Sequence, residues 1–300
     1  MIVLVIGSKG FVGGHAVAYF KAKENTVIGC DIQRPDGDET YLYFNTSAAG
    51  AGLQDVFKKY LPDVCINAGG NGSVPISIAN PQLDFEANTL FQFTVLEIIK
   101  NTVPHCKYVH LSSAAVYGNP RQLPIAEQDA TLPLSPYGWH KLQAELVCKE
   151  YAHLYNIPAI SLRIFSVYGP GLKKQLFWDT YHKTKTQQQI ALFGTGNESR
   201  DFIYIDDLIA AIDIIISGYQ LNGQQINVSS GVETTVKEAI QLFIDGIDKN
   251  KEIVFNNITK SGDPLNWRAD ITELTNLGFV PKINLQQGLL KTIEWLKGNA

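Results

Sequence analysis

The chain opens with a short apolar run, Met1–Ile6, that breaks at Gly7-Ser-Lys-Gly10-Phe-Val-Gly13 and resumes as Gly14–Phe20, which reads as a helix. An unbroken apolar run of this length suits a strand buried on both faces, as in a parallel sheet. A buried strand, a glycine turn and a helix in succession make a cradle for a dinucleotide. Glycines let the backbone approach a pyrophosphate, which rests on the amides and positive dipole of the helix N-terminus. The spacing is G-x-x-G-x-x-G, not G-x-G-x-x-G. A second run, Thr26-Val-Ile-Gly-Cys-Asp31, ends in a carboxylate placed to bond adenosine ribose hydroxyls. On this reading Gly7, Lys9, Gly10, Phe11, Val12 and Gly13 form the phosphate turn.

Strand and helix signals alternate through the first 165 residues. Strands are expected at 1–6, 26–31, 41–45, 63–67, 106–112 and 158–165, and helices at 11–23, 51–60, 80–100 and 137–155. Such alternation predicts an α/β fold, a doubly wound, Rossmann-like parallel sheet with right-handed crossovers. Beyond Gly169 the pattern loosens, with strands near 190–193 and 224–229 and helices near 205–217, 234–246 and 285–297. This divides the chain into a dinucleotide-binding domain over 1–165 and a smaller substrate lobe over 166–300. The lobe is interleaved, with a segment near 200–230 returning to the first domain.

Composition narrows the function classes. A net charge of −4 with no block of like charge argues against a nucleic-acid stripe or a polybasic membrane anchor. The leading apolar run is too short for a signal peptide or a membrane span. Cys30, Cys65, Cys106 and Cys148 lack metal-ligand spacing, and most fall in or beside expected core strands. They read as buried thiols in a reducing cytoplasm, with no metal site.

Tyr137 and Lys141 lie four positions apart in Ser-Pro-Tyr-Gly-Trp-His-Lys and so share one helix face. An ammonium beside a phenol favours the tyrosinate, drawing its pKa below the ordinary value of about 10. Such a tyrosine exchanges a proton with an alcohol oxygen while a nicotinamide exchanges the hydride. His140, Asp206 and Asp207 read as a solvated helix face and a helix cap.

Together with the glycine turn and Asp31, this pair resembles the extended short-chain dehydrogenase/reductase superfamily, in particular its nucleotide-sugar epimerases, dehydratases and ketoreductases. The likeness covers nearly the whole chain. Asp63-Val-Cys-Ile-Asn-Ala-Gly-Gly70 is similar to that family's fourth strand and its turn over the cofactor, so Ala68, Gly69 and Gly70 are implied cofactor residues. Asn88 matches the asparagine of the next helix, and Val109–Gly118 matches the fifth strand, with Ser113 at the catalytic Ser/Thr position. Leu162–Pro170 matches the sixth strand, implicating Phe165 toward the cofactor and Ser166 toward substrate, although Ser166 replaces a usual Asn. Arg200–Asp207 and Gly262–Asp270 match two signatures of nucleotide-sugar binding.

The resemblance implies redox chemistry on a nucleotide sugar. Dehydratases of this family place Asp and Glu after the catalytic Thr, because eliminating water needs an acid and a base. Here Ala114 and Ala115 stand there and transfer no proton. What remains is C4 epimerisation through a transient 4-keto sugar, or reduction of a 4-keto-6-deoxy sugar; a non-catalytic dinucleotide sensor is a third, remote reading. Asp31 favours NAD, since a carboxylate repels a 2′-phosphate. Lys9 and Arg34 leave NADP open. Asn45 stands where an Asp usually meets the adenine amino group. For the substrate, Arg200 is suited to the diphosphate. Lys260 replaces a second phosphate-binding arginine, Asp263 aligns with a ribose contact, and Phe193 either packs on the base or fills core. By family analogy the helices near 80–100 and 137–155 pair two copies into a homodimer.

Overall fold

A computed structural model describes all residues except 36, 38–39, 48–49, 51, 259–261 and 300. Seven strands form its main sheet: β1 (Ile2–Ile6), β2 (Thr26–Asp31), β3 (Leu42–Asn45), β4 (Val64–Asn67), β5 (Lys107–Ser113), β6 (Ala159–Ile164) and β10 (Gln225–Val228). Their order is β10-β6-β5-β4-β1-β2-β3, and every pairing is parallel. The apolar runs explain this arrangement. β4 and β6 are buried at every residue, as a sheet covered on both faces demands. Strand order reverses between β1 and β4, which opens a crevice at their C-terminal ends.

Crossover helices cover both faces: α1 (Phe11–Ala22), α2 (Leu53–Tyr60), α3 (Val74–Ala79), α4 (Pro81–Phe85), α5 (Phe91–Thr102) and α6 (Pro136–Tyr155). The helix expected over 80–100 is broken. Asn80, at φ −138°, separates α3 from α4, and Pro81 restarts the chain as a helix. A π-helical turn over Glu86–Leu90 then joins α4 to α5 and carries Asn88. α6 is well delimited. Ser135 accepts the Gly138 N–H at 3.2 Å, Pro136 fills the first turn, and Asn156 closes the helix in the left-handed region at φ +55°.

The remaining elements follow β6 in the chain. They are β7 (Ser166–Tyr168), α7 (Gln175–Thr186), β8 (Gln189–Leu192), β9 (Ser199–Tyr204), α8 (Ile205–Gly218), β11 (Glu233–Thr235), α9 (Val236–Asp245), β12 (Glu252–Phe255), α10 (Thr272–Asn276) and α11 (Leu285–Asn299). β11-β9-β7 make one small sheet and β12-β8 another. Neither β9 nor α7 announces itself in sequence, because polar residues interrupt both. β10 is hydrogen-bonded to β6 at the edge of the main sheet, and α8 packs on α1. A single apolar cluster runs from Val3 and Val5 through Ile205 and Ile212 to Phe177, Phe243 and Leu289.

Candidate active site

The glycine turn is shaped by backbone contact. Gly7 has φ +76°, and a Cβ there would lie 2.8 Å from the Ala68 carbonyl and the Gly69 nitrogen. A Cβ on Gly13 would fall 2.0 Å from the Gly7 oxygen. Gly10 caps α1 with no side-chain hydrogen bond and puts no side chain of its own before the amides of the first turn. Phe11 and Val12 occupy that first turn, half-buried. At the end of β2, Asp31 accepts the Lys9 N–H at 2.9 Å and the Gln33 N–H at 3.1 Å, which fixes its carboxylate beside the turn. The Lys9 ammonium lies against the Tyr43 ring and 3.3 Å from the Arg34 carbonyl. Asn45 donates to the Asp31 and Gln33 carbonyls, which leaves its amide oxygen as the group suited to an adenine amino hydrogen.

Across the crevice, Ala68 is tied to Ile6 and Gly69 to the Asn67 side chain. Gly70, at φ +117°, has no room for a side chain, since a Cβ would meet Asn88 Oδ1 at 2.6 Å. Asn88 is buried and donates to Asn71 O and Asp84 Oδ1, yet its own Oδ1 has no hydrogen-bond partner among the described residues. A buried acceptor left unpaired is costly. A dinucleotide in the crevice would supply the missing donor. The open helix terminus, the ribose carboxylate and this orphaned oxygen fit such a cofactor.

Ser113 ends β5 and Tyr137 begins α6. Gly138 brings them together, because a Cβ on it would lie 2.6 Å from the Ala115 oxygen. The Ser113 hydroxyl accepts the Ala115 N–H at 3.2 Å, starting the tight turn Ala114–Val116. The Tyr137 N–H is held by the buried Ser77 hydroxyl at 3.1 Å. Lys141 is 6 % exposed and donates to the Leu111 carbonyl at 2.9 Å, with its nitrogen 5.9 Å from the Tyr137 ring centre.

The ionisation expected from the spacing is corrected by this geometry. Burial raises the Tyr137 pKa above its ordinary value; a Ser113 hydrogen bond opposes that rise and the Asp84 charge adds to it. Lys141 does not offset that rise, because an ammonium that loses its proton near 8 is already neutral when the phenol ionises. Burial also pushes Lys141 itself down to about 8, against the pull of Asp84 and Glu145. The protein alone holds a neutral phenol beside an ammonium that is easily discharged.

A buried brace missed in the sequence lies below the pair. Glu145, two turns beyond Tyr137, accepts from Ser112 at 2.6 Å and from Arg163 Nη2 at 2.8 Å; Arg163 also reaches Tyr117 and the Glu127 carbonyl. It locks α6 to β5 and β6. His140 is corrected too: its side chain is 12 % exposed, and Nδ1 lies 2.6 Å from the fully buried Asp84. Asp207 caps no helix; it accepts the Lys282 and Ile283 N–H groups, while Asp206 lies 3.7 Å from His15. Spacing along α6 could not have revealed partners so distant in the chain.

On the substrate side, Asp201 ties the outer lobe together. It is fully buried and accepts from the Ser229 and Ser230 hydroxyls and from the Gly231 and Ala269 N–H groups. Its neighbour Arg200 donates to the Ser199 and Leu265 carbonyls, lies over the Trp267 ring, and feels the charge of exposed Asp263. The loop bearing Asp263 reaches the dyad's helix: a Cβ on Gly262 would sit 3.3 Å from Ser135 Cβ. Ser166 is half-buried at the start of β7, and Phe193 is 49 % exposed, so it is not core. Phe165 is buried between Tyr117 and Trp267. Lys260 lies outside the described residues.

Comparison with known proteins agrees with this geometry. The model of the NAD dependent epimerase/dehydratase family matches residues 3–229. A putative UDP-glucose 4-epimerase of Methanocaldococcus jannaschii is 28 % identical, covering 99 % of both chains. A UDP-glucuronate 4-epimerase of Thermodesulfobacterium geofontis is also 28 % identical over 99 % of this chain and 96 % of its own. Among solved structures, UDP-glucuronic acid 4-epimerase from Bacillus cereus in complex with UDP-glucuronic acid and NAD superposes with a TM-score of 0.91, at 25 % identity and full coverage of both chains.

Proposed function

This chain belongs to the NAD dependent epimerase/dehydratase family, and from that premise we propose that it inverts C4 of a UDP-hexose or UDP-hexuronate using bound NAD. The observation that carries the reading is Ser113 beside Tyr137 with two alanines following, in a crevice fitted for a dinucleotide. NAD, when bound, would supply the hydride acceptor and donor for C4. Tyr137, as the phenolate left once its own proton has passed to solvent, takes the proton of the C4 hydroxyl as the C–H bond breaks, leaving a 4-keto sugar. It gives that proton back when the hydrogen returns on the opposite face. Ser113 donates to the same oxygen, and Lys141 supplies positive charge beneath it. Ala114 and Ala115 offer no acid or base, so water is not eliminated. Arg200 bonds the diphosphate, with Asp263 near the ribose. Asp31 selects NAD by repelling a 2′-phosphate.

Denaturing the pure protein and weighing the released nucleotide should yield NAD. UDP-glucose or UDP-glucuronate should then equilibrate with its C4 epimer without added reductant. Release of NADP alone, or turnover that consumes reductant mole for mole, would replace this reading with a 4-ketoreductase.

We further propose a cytoplasmic homodimer. Leu83, Leu90 and Phe93 along α4–α5, and Trp139, Leu146 and Leu154 along α6, are each 42 % exposed or more. Apolar side chains clustered on adjoining helices mark an interaction surface. Sedimentation should give twice the chain mass of 33.2 kDa. Leu146→Glu should halve it, and a monomeric wild type would end the proposal.

A further inference from the structure

The chain leaves β7 through Gly169-Pro-Gly-Leu-Lys-Lys174 and enters α7. The first half of this segment lies on the phosphate turn. His15, in the second turn of α1, brings Nε2 to 2.9 Å from the Pro170 carbonyl, and a Cβ on Gly171 would meet Phe11 at 3.6 Å. The second half lies on the opposite wall. A Cβ on Gly72, in the turn between β4 and α3, would sit 3.2 Å from the Lys174 ammonium. Those two turns flank the point where strand order reverses. The segment therefore runs from one wall of the dinucleotide crevice to the other. Gly169 and Gly171 have φ of +149° and +94°, so its bend rests on residues that restrain the backbone little. The Leu172 N–H bonds back to the Gly169 carbonyl at 3.3 Å, inside the segment. Among the described residues, the His15 bond is what ties the segment to α1.

We propose that His15 is a positioning residue for the cofactor: it clasps the Pro170–Gly171 bend against Phe11, which holds the segment across the crevice and slows the exit of bound NAD. The proposal deepens the cofactor assignment and rests on it. A carbonyl can only accept, so Nε2 carries the hydrogen of the clasp. One neutral tautomer and the imidazolium both provide it, and no particular charge on His15 is required. Asp206 contributes little, since it lies 3.7 Å from Nδ1, beyond hydrogen-bond reach, and is more than half exposed. Phe11 meets the imidazole edge-on at 5.5 Å, which steadies the plane of the ring. One residue of the phosphate turn and one bend of the segment are thus held by a single side chain.

The test follows isotope-labelled NAD leaving the full-length protein against an excess of unlabelled NAD. His15→Leu keeps apolar bulk but removes the donor, and should release NAD about tenfold faster. His15→Asn should do the same, because its amide reaches only as far as Nδ1 did. The longer amide of His15→Gln reaches the place of Nε2 and donates there, so its release should stay within about twofold of wild type. UDP affinity should be the same in all four forms, which a general loosening of the fold would not allow. In the NAD-free protein, amide hydrogen exchange over 171–174 should quicken in His15→Leu and His15→Asn alone. Release at one common rate from protein that binds NAD, or His15→Gln behaving as His15→Leu, would overturn the proposal and leave the cofactor assignment standing. A wild type that takes up no NAD would overturn both.

Discussion

Tyr137→Phe should lower kcat by about three orders of magnitude and leave nucleotide-sugar affinity within about twofold. Proton transfer by a positioned side chain is worth roughly 10²–10⁴ in rate, and the phenol is the group placed to make it. The substitution removes one oxygen and little else. The ring stays in its place, and the bond from the Tyr137 N–H to Ser77 is a backbone bond that phenylalanine retains. The fold should be untouched. Steady-state kinetics set beside calorimetric binding of UDP would check this, and a parallel loss of affinity would move Tyr137 from chemistry to binding. An unaltered kcat would remove it from the site altogether.

Lys141→Met should abolish turnover and make the protein more stable at neutral pH. The ammonium is buried, so the folded state binds its proton less readily than the unfolded chain does. The pKa falls from an ordinary 10.5 to about 8. Because the unfolded state holds more protons between those values, stability rises with pH across about 8 to 10.5. Below 8 the fold carries the full penalty, on the order of 3 kcal/mol at about 1.4 kcal/mol per unit. Methionine removes the penalty, and the Leu111 carbonyl loses a donor in exchange. Urea unfolding at pH 7 should therefore show a gain of roughly 1–3 kcal/mol, and wild type should close the gap as pH approaches 10. Tyr137 works in the other direction. Its pKa is raised by burial, so above pH 10 the unfolded chain loses that proton first and stability falls again. A Lys141→Met protein less stable than wild type at pH 7 would show that the ammonium supports the fold through its bond to Leu111. Function and stability oppose each other at this residue.

Much of the fold was legible because strands buried on both faces are mostly apolar. Val3–Ile6 and Val64–Ile66 are wholly so, Ala159–Ile164 is so but for Ser161 and Arg163, and the glycines between β1 and α1 admit few alternatives. The outer strands are different. β9 begins Ser-Arg-Asp and is held by the cross-links of Asp201 to two other segments, 229–231 and Ala269, a bond set that no local pattern encodes. The dyad's shared helix face followed from its spacing, but its electrostatics did not. Spacing could not say that the Lys141 nitrogen points at Leu111 or that burial outweighs its attraction for the phenolate. His140 looked like a surface residue because its partner, Asp84, lies on another helix. The turn carrying Asn88 was hidden for a related reason, since a π-helical turn has the composition of the helices that flank it.

Gly138 leaves no side chain between the first turn of α6 and the Ala115 backbone. The backbones that carry Ser113 and Tyr137, the hydroxyls proposed to react, are therefore spaced by main chain pressed on main chain, a gauge that involves no side chain. Substrate preference can drift through substitutions in the outer lobe while that gauge, and the proton transfer it governs, stays constant.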